Sequence, residues 1–189
     1  MNQTGLIFIP DITGFTKFVN EIEILHGNEI TAELIEEIIN SIDIDLDISE
    51  IEGDAVLFYK LPNTLKLNEI IEQSRKTLFL FNQTLELIQR KRICKCNACS
   101  SAKNLTLKFI LHEDEMQIMK IKTFTKLYGK GLIISHRLLK NNISENEYLL
   151  FTKDYFDNLK YDYKMDNKLN ETSIIIEGYG EVPCYFIKL

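Results

Sequence analysis

The sequence lacks several features that would define whole classes of protein. None of its apolar runs approaches the roughly 20 residues that a membrane-spanning helix needs. The opening residues, MNQTGLIFIPD, carry no basic segment and their apolar run ends at Asp11, so we expect no secretory signal. The net charge of −6 indicates no broad positive face and disfavours a general nucleic-acid-binding role. We therefore expect a cytoplasmic protein with neither a membrane nor a nucleic acid as partner.

The sequence also lacks repeats and linkers, so we expect one domain over residues 1–189. A chain of 189 residues that is 45% hydrophobic and 26% charged is typical of one globular domain. The predicted elements run strand, helix, helix, hairpin, helix, hairpin, helix, strand, hairpin, and we expect the second hairpin to turn at Glu113-Asp114. This order indicates an α/β sandwich of the α+β, ferredoxin-like kind, with helices packed on a mainly antiparallel sheet.

Cysteine is scarce but clustered. Three of the four cysteines lie within six residues, at Cys94, Cys96 and Cys99. In a reducing compartment this grouping suggests a Zn²⁺ site more than a disulfide framework. The spacing lacks paired Cys-x-x-Cys motifs, and a fourth ligand would have to come from Cys184, a histidine or a second subunit. A zinc site and a set of free or redox-active thiols both fit the pattern.

Two aspartates stand at the ends of predicted strands. Asp11 follows the apolar run 6–9 and Pro10, where a charge is costly to bury without a partner. Asp54 lies in a predicted hairpin turn after Gly53, which the element order places beside the end of the first strand. Either residue alone is explained as a turn residue. Together they favour a site for Mg²⁺ or Mn²⁺, which are held by carboxylates together with phosphate oxygens.

The segments around these aspartates resemble a known family. Residues 11–16, DITGFT, and 50–55, EIEGDA, are similar to the two metal-binding motifs of class III adenylyl and guanylyl cyclase catalytic domains. A long predicted helix separates them, as in that family. The segments LKFILHEDEMQI, YGKGLIISHRLLKN and GEVPCYFIKL resemble its later elements, so the resemblance covers nearly the whole chain. The chain looks like a small, divergent bacterial branch of this superfamily.

The resemblance implies a nucleoside triphosphate ligand and a head-to-tail homodimer with its sites in the interface. One subunit would hold Mg²⁺ or Mn²⁺ with Asp11, Asp54 and the carbonyl of Ile12. The other subunit would supply the groups that recognise the base and an Asn/Arg pair for the triphosphate. Arg137 falls on the position of that arginine, and its fixed fork of donors suits phosphate oxygens.

Other family positions depart from the pattern. Ile133 occupies the position of the family's asparagine and cannot donate a hydrogen bond. The two positions for base recognition hold Glu50, as in guanylyl-specific members, and Lys126, where adenylyl cyclases place Asp. Losing one positioned donor costs about 100- to 1,000-fold in rate. His136 and Lys140 are candidate replacements for the lost phosphate contacts, or else solvated helix charges.

These departures predict a pseudoenzyme in a signalling role, which keeps the metal site and binds a nucleotide or metal with weak or no cyclase activity. Two alternatives remain open at this point. The chain is an active cyclase if another residue replaces the asparagine. It is a ligand-free interaction domain if the acidic cluster is only surface.

Overall fold

The first strand, β1 (Gln3–Thr13), is central in an eight-stranded sheet because both of its edges are paired. Its neighbours are β3 (Ala55–Lys60) and β4 (Thr106–Ile121), both antiparallel to it. The computed structural model describes residues 3–21, 24–91, 100–159 and 169–189. Strand β1 contains the apolar run 6–9 and ends within the first predicted metal-binding motif, residues 11–16.

The other described elements surround these three strands. The remaining strands are β2 (Asp47–Glu52), β5 (Phe124–Tyr128), β6 (Tyr148–Thr152), β7 (Asn170–Ile176) and β8 (Gly180–Lys188). The described α-helices are α1 (Phe15–Glu21), α2 (Ile24–Asn40), α3 (Leu67–Lys91), α4 (Lys130–Leu138) and α5 (Lys153–Asn158). None of them combines the length and the apolar character that a membrane span requires.

The sheet has the order β2-β3-β1-β4-β6-β8-β7, and β5 pairs separately with the outer part of β4. The pairing of β4 with β6 is parallel, and the other pairings are antiparallel. The predicted α+β architecture with a mainly antiparallel sheet is therefore confirmed.

Alternating residues of β1 supply two hydrophobic cores. Phe8 faces the side covered by α2 and α3 and stacks on Phe109 with ring centroids 5.6 Å apart. Ile7 and Ile9 face the opposite side, where they share a core with Leu138 of α4. Because successive side chains of a strand point to opposite faces, Asp11 lies on the same face as Ile7 and Ile9. The first metal motif is thus placed on the face that α4 covers.

The predicted acidic turn at Glu113-Asp114 is wrong, because β4 runs unbroken through it. The continuous pairing with β1 explains the difference: Glu113 lies opposite Leu6 and Asp114 opposite Gly5. The ladder keeps these residues extended despite their polar character. The turn falls later, at residues 122–123, where Lys122 takes a left-handed conformation with φ of 55°.

Helix α4 approaches β4 so closely that only glycine fits at one position. A Cβ added to Gly131 would lie 2.6 Å from the Cβ of Asp114. We expect Gly131→Ala to destabilise the protein by about 1–2 kcal/mol, because overpacking outweighs the gain in helix propensity. Urea unfolding measures this change. The neighbouring Lys130→Ala, at an exposed position, should stay within about 0.5 kcal/mol of wild type. A Gly131→Ala protein as stable as wild type would contradict the close approach.

Candidate functional site

The two predicted metal ligands lie side by side at one end of the sheet. Asp11 is opposite Ala55 in the β1–β3 ladder, and Asp54 is the residue just before Ala55. The backbone N–H of Ile12 donates to the carbonyl of Asp54 over 3.0 Å, which ties the β2–β3 turn to the end of β1. Both aspartate side chains line one cavity of about 480 Å³. Local strand geometry therefore brings together the two residues that the sequence singled out.

Burial changes the acidity of both carboxyl groups. Removal from water raises the pKa of Asp54 to about 6, and the negative charge of Asp11 adds to this effect. Burial also raises the pKa of Asp11, although the ammonium of Lys108 opposes the shift. Two neighbouring carboxylates whose charged forms burial disfavours in this way are a donor set that a divalent cation would stabilise.

Lys108 is a site residue that the sequence did not reveal. It lies opposite Asp11 in the β1–β4 ladder, and its Nζ is 3.2 Å from Asp11 Oδ2. The same Nζ donates to the carbonyl of Leu139 over 2.9 Å, so the ammonium is fixed between the metal motif and the end of α4. Its side chain is only 17% exposed. The signal available in the sequence was a single charged residue on a predicted strand. Its neighbours along the chain, Leu107 and Phe109, are buried core residues.

The end of α4 forms the basic wall of the same cavity. His136, Arg137 and Lys140 line it together with the acidic residues Asp11, Asp54 and Glu52. The resemblance implies that Arg137 serves the site of a partner subunit. In the structure it reaches the cavity of its own chain. Ile133, one turn earlier on α4, is about half exposed and lies outside the described lining of this cavity.

The two predicted base-recognition residues contact each other. The ammonium of Lys126 on β5 donates to the carboxylate of Glu50 on β2, and this contact raises the pKa of Lys126. Glu52, on the same face of β2 as Glu50, has its Oε2 3.1 Å from Nδ1 of His136. Ligand atoms of Glu50, Glu52 and His136 lie within 4.8 Å of one another, so these three side chains could also hold a metal ion. Guanine or adenine would have to displace Lys126 to reach Glu50.

The cysteine prediction falls mostly outside the described residues. Cys94, Cys96 and Cys99 lie in the range 92–99, so the zinc hypothesis remains a prediction. Cys184 on β8 is a buried free thiol, and burial raises its pKa to about 12. Its side chain packs in the core on the face of the sheet that α4 covers. Whether Cys184 joins the three clustered cysteines at a zinc ion stays a prediction.

Solved structures define the class of this fold. The chain superposes on the guanylyl cyclase Cya2 with a TM-score of 0.72 at 11% identity, covering 99% of this chain and 92% of that one. For the adenylyl cyclase CyaB from P. aeruginosa the TM-score is 0.69 at 15% identity, over 99% and 94% of the two chains. The guanylate cyclase domain of RhGC from Catenaria anguillulae, solved in complex with GTP, matches with a TM-score of 0.59 at 13% identity, over 98% and 96%. The protein has the fold of class III nucleotidyl cyclase catalytic domains.

Within that class, sequence comparison places the chain in a particular family. It belongs to the family described as protein of unknown function (DUF2652), whose model matches residues 31–148. The uncharacterised protein Rv2561/Rv2562 of Mycobacterium tuberculosis is 30% identical over 159 residues, which are 84% of this chain and 73% of that protein. The low identity to the cyclases and the match to a separate family agree with the divergent branch predicted from the motifs.

Proposed function

We propose that this chain is a divergent class III cyclase-like domain that binds a nucleoside triphosphate together with Mg²⁺ or Mn²⁺. Its role would be signalling, with weak or no cyclase activity. One observation carries the proposal: a single cavity has an acidic wall from β1 and the β2–β3 turn and a basic wall from the end of α4. In a metal–triphosphate complex, the acidic wall would bind the cation and the basic wall would bind the phosphates.

The donors present fit a hard divalent cation. Asp11 and Asp54 would supply carboxylate oxygens, and Ile12 would supply its carbonyl oxygen, all of the type that Mg²⁺ and Mn²⁺ prefer. A bound cation supplies charge neutralisation for a triphosphate and for a departing pyrophosphate. Lys108 limits the negative charge at Asp11 before any cation binds, because its ammonium lies 3.2 Å from that carboxylate.

The basic wall would orient the phosphates. Arg137 presents up to five donors in a rigid fork, and Lys140, just after the end of α4, adds a second basic side chain. His136 is engaged with Glu52, so its contribution would depend on breaking that contact. The resemblance puts Ile133 where the family has its asparagine, and the described lining of the cavity contains no side-chain amide that could replace that donor. This lack supports binding more than turnover.

A head-to-tail homodimer is part of the same proposal. Apolar side chains remain exposed along the outer part of β4, on β5 and on α4, where a second copy would bury them: Ile118, Ile121, Phe124, Tyr128 and Ile133. Burial of large aromatic and aliphatic residues is the usual source of stability in homodimer interfaces. Sedimentation of wild type and of Phe124→Ser tests this part.

Binding and turnover measured together test the proposed function. With Mn²⁺ present, purified protein should bind GTP and ATP in calorimetry while forming little or no cyclic nucleotide by chromatography. GTP should bind more tightly, because Glu50 can accept hydrogen bonds from guanine once Lys126 is displaced. Lys140→Met should weaken triphosphate binding, whereas Lys153→Met on the exposed surface of α5 serves as the matched control.

Two results would contradict the proposal in different ways. A turnover of roughly 1–1,000 per second, the range of ordinary enzymes, would show an active cyclase. No binding of either triphosphate with Mn²⁺ would favour the ligand-free interaction domain.

A further inference from the structure

A β-bulge in β2 turns two glutamates towards the face of the sheet that α4 covers. Ile48 lies opposite Phe58, which belongs to the core on the other face. The register shifts between Ile48 and Glu50, and Glu50 then lies opposite Leu57, a residue of the core on the α4 side. In a regular strand Glu50 would share the face of Ile48, two residues earlier. The bulge therefore directs Glu50, and with it Glu52, towards α4.

A histidine of α4 completes a group of three donors with these glutamates. His136 Nδ1 lies 3.1 Å from Glu52 Oε2, and ligand atoms of His136, Glu50 and Glu52 all lie within 4.8 Å of one another. Ligand atoms of a tetrahedral Zn²⁺ lie about 3–3.5 Å apart, because each bond is about 2.1 Å long. Glu52 and His136 are 43% and 29% exposed, so both side chains have room for the small movements that would close the group on one ion.

A positive charge already lies against these carboxylates. The ammonium of Lys126 donates to Glu50, and this contact, with a smaller contribution from the charge of Glu52, raises the pKa of Lys126. Lys126 is 48% exposed, whereas Glu50 is only 19% exposed. The lysine can therefore move into solvent, but the carboxylate of Glu50 stays in place and needs a cation.

The donors of this group differ in kind from those of the two-aspartate site. Asp11 and Asp54 offer only carboxylate oxygens, and neither belongs to the group. The histidine adds an imidazole nitrogen, which suits Zn²⁺, whereas Mg²⁺ takes oxygen ligands. Among the residues that the structure describes, no other three His, Cys, Asp or Glu side chains lie at this spacing. The chemistry of the donors therefore favours zinc over magnesium here.

We propose that Glu50, Glu52 and His136 bind a Zn²⁺ ion in place of the ammonium of Lys126. The two carboxylates and the imidazole fill three positions of a tetrahedral ion, and water fills the fourth. The double charge of the ion balances both glutamates, whereas the single charge of Lys126 balances one. Binding of the ion frees the side chain of Lys126 on β5.

Calorimetry of the purified full chain with Zn²⁺ tests the proposal, in excess Mg²⁺ so that the oxygen-only site is filled. The clustered cysteines are also candidate zinc ligands, so the measured quantity is the difference between variants. His136→Gln should bind one equivalent of zinc fewer than wild type. The loss of a direct ligand should weaken this site by at least about 100-fold, because the loss of an indirect partner already costs about 10- to 100-fold. His26→Gln on α2, the matched control, should bind as many equivalents as wild type.

Two further variants separate this site from its surroundings. Asp54→Asn should keep the equivalent that His136→Gln loses, because Asp54 is not one of the ligands. Lys126→Met removes the competing positive charge at an exposed position and should tighten the site about 3- to 10-fold.

Equal zinc stoichiometry in His136→Gln and wild type would overturn the proposal. Loss of one equivalent in Asp54→Asn would also overturn it, because zinc would then lie at the two-aspartate site. If His136→Gln does not fold, Lys126→Met provides the test with all three ligands present. Zinc affinity no tighter than that of wild type would show that the ion does not take the place of the ammonium. These measurements contain no nucleotide, so their result is independent of the proposed nucleotide site.

Discussion

Mn²⁺ should raise the melting temperature of the wild-type protein, and Asp54→Asn should abolish that rise. A ligand present at about 100 times its Kd stabilises the folded state by about 2.7 kcal/mol. For a chain of this size that corresponds to a rise of roughly 5–10 °C. Asp54→Asn removes one of the two aspartate carboxylates that line the cavity and leaves the size of the side chain unchanged. Differential scanning fluorimetry with and without Mn²⁺ measures both proteins.

The pH dependence of this prediction has a definite sign. Asp54 has a pKa of about 6 in the folded protein against 3.8 as its ordinary value, so the folded state holds this proton more tightly. Without metal, Asp54 therefore contributes stability below its ordinary pKa, and that contribution is lost as the pH rises through the folded value. At neutral pH metal-free Asp54→Asn should melt above metal-free wild type. The stabilisation by Mn²⁺ should shrink below the folded pKa, where the proton competes for the carboxylate.

The control for these experiments is Asp157→Asn, an exposed aspartate on α5. It should keep the full rise with Mn²⁺ at neutral pH. An equal rise in Asp54→Asn and wild type would place the manganese elsewhere, for which Glu50, Glu52 and His136 are the alternative donors.

Lys108→Met should destabilise the metal-free protein by roughly 2–4 kcal/mol at neutral pH. The substitution leaves the carboxylate of Asp11 without its ion-pair partner, although its side chain is only 13% exposed. Removing one partner of a fully buried ion pair costs about 3–5 kcal/mol, and the partial exposure of this pair lowers that figure. The carbonyl of Leu139 also loses its donor. Urea unfolding at neutral pH measures the loss.

The same variant should respond more strongly to Mn²⁺, because a positive charge beside the two carboxylates has been removed. Adding Asp11→Asn to Lys108→Met should recover part of the stability, since no unpaired buried charge then remains. Lys103→Met, at an exposed position before β4, serves as the matched control and should change stability little. A Lys108→Met protein as stable as this control would show that the ion pair with Asp11 does not contribute to the free energy of unfolding.

Local pattern in the sequence was sufficient for the architecture and for the central pair of the site. Alternating apolar residues identify β1, and helical spacing identifies α2 and α3, because each element must bury one face. Asp11 and Asp54 each follow from a short motif at a strand end. Their proximity follows from element order alone, since a hairpin that pairs with β1 brings its turn beside the end of that strand.

Contacts between distant segments required the tertiary structure. Lys108 meets Asp11 because of the register between β1 and β4, and a shift of one residue would turn this lysine to the other face. Glu50 and Lys126 are 76 residues apart and meet only because β5 folds back over β2. No local pattern encodes such distances.

The same long-range pairing overrode one expectation drawn from residue type. A polar run over 113–114 predicted a turn, but the ladder with β1 holds it extended and directs His112 and Asp114 towards a second cavity. The packing of α4 on β4 also brings Arg137 to the cavity that Asp11 and Asp54 line. Sequence determines which elements form because the spacing of apolar residues and the hydrogen bonds of helices are local. The tertiary structure decides which charges meet because strand register and helix packing are set by the whole core.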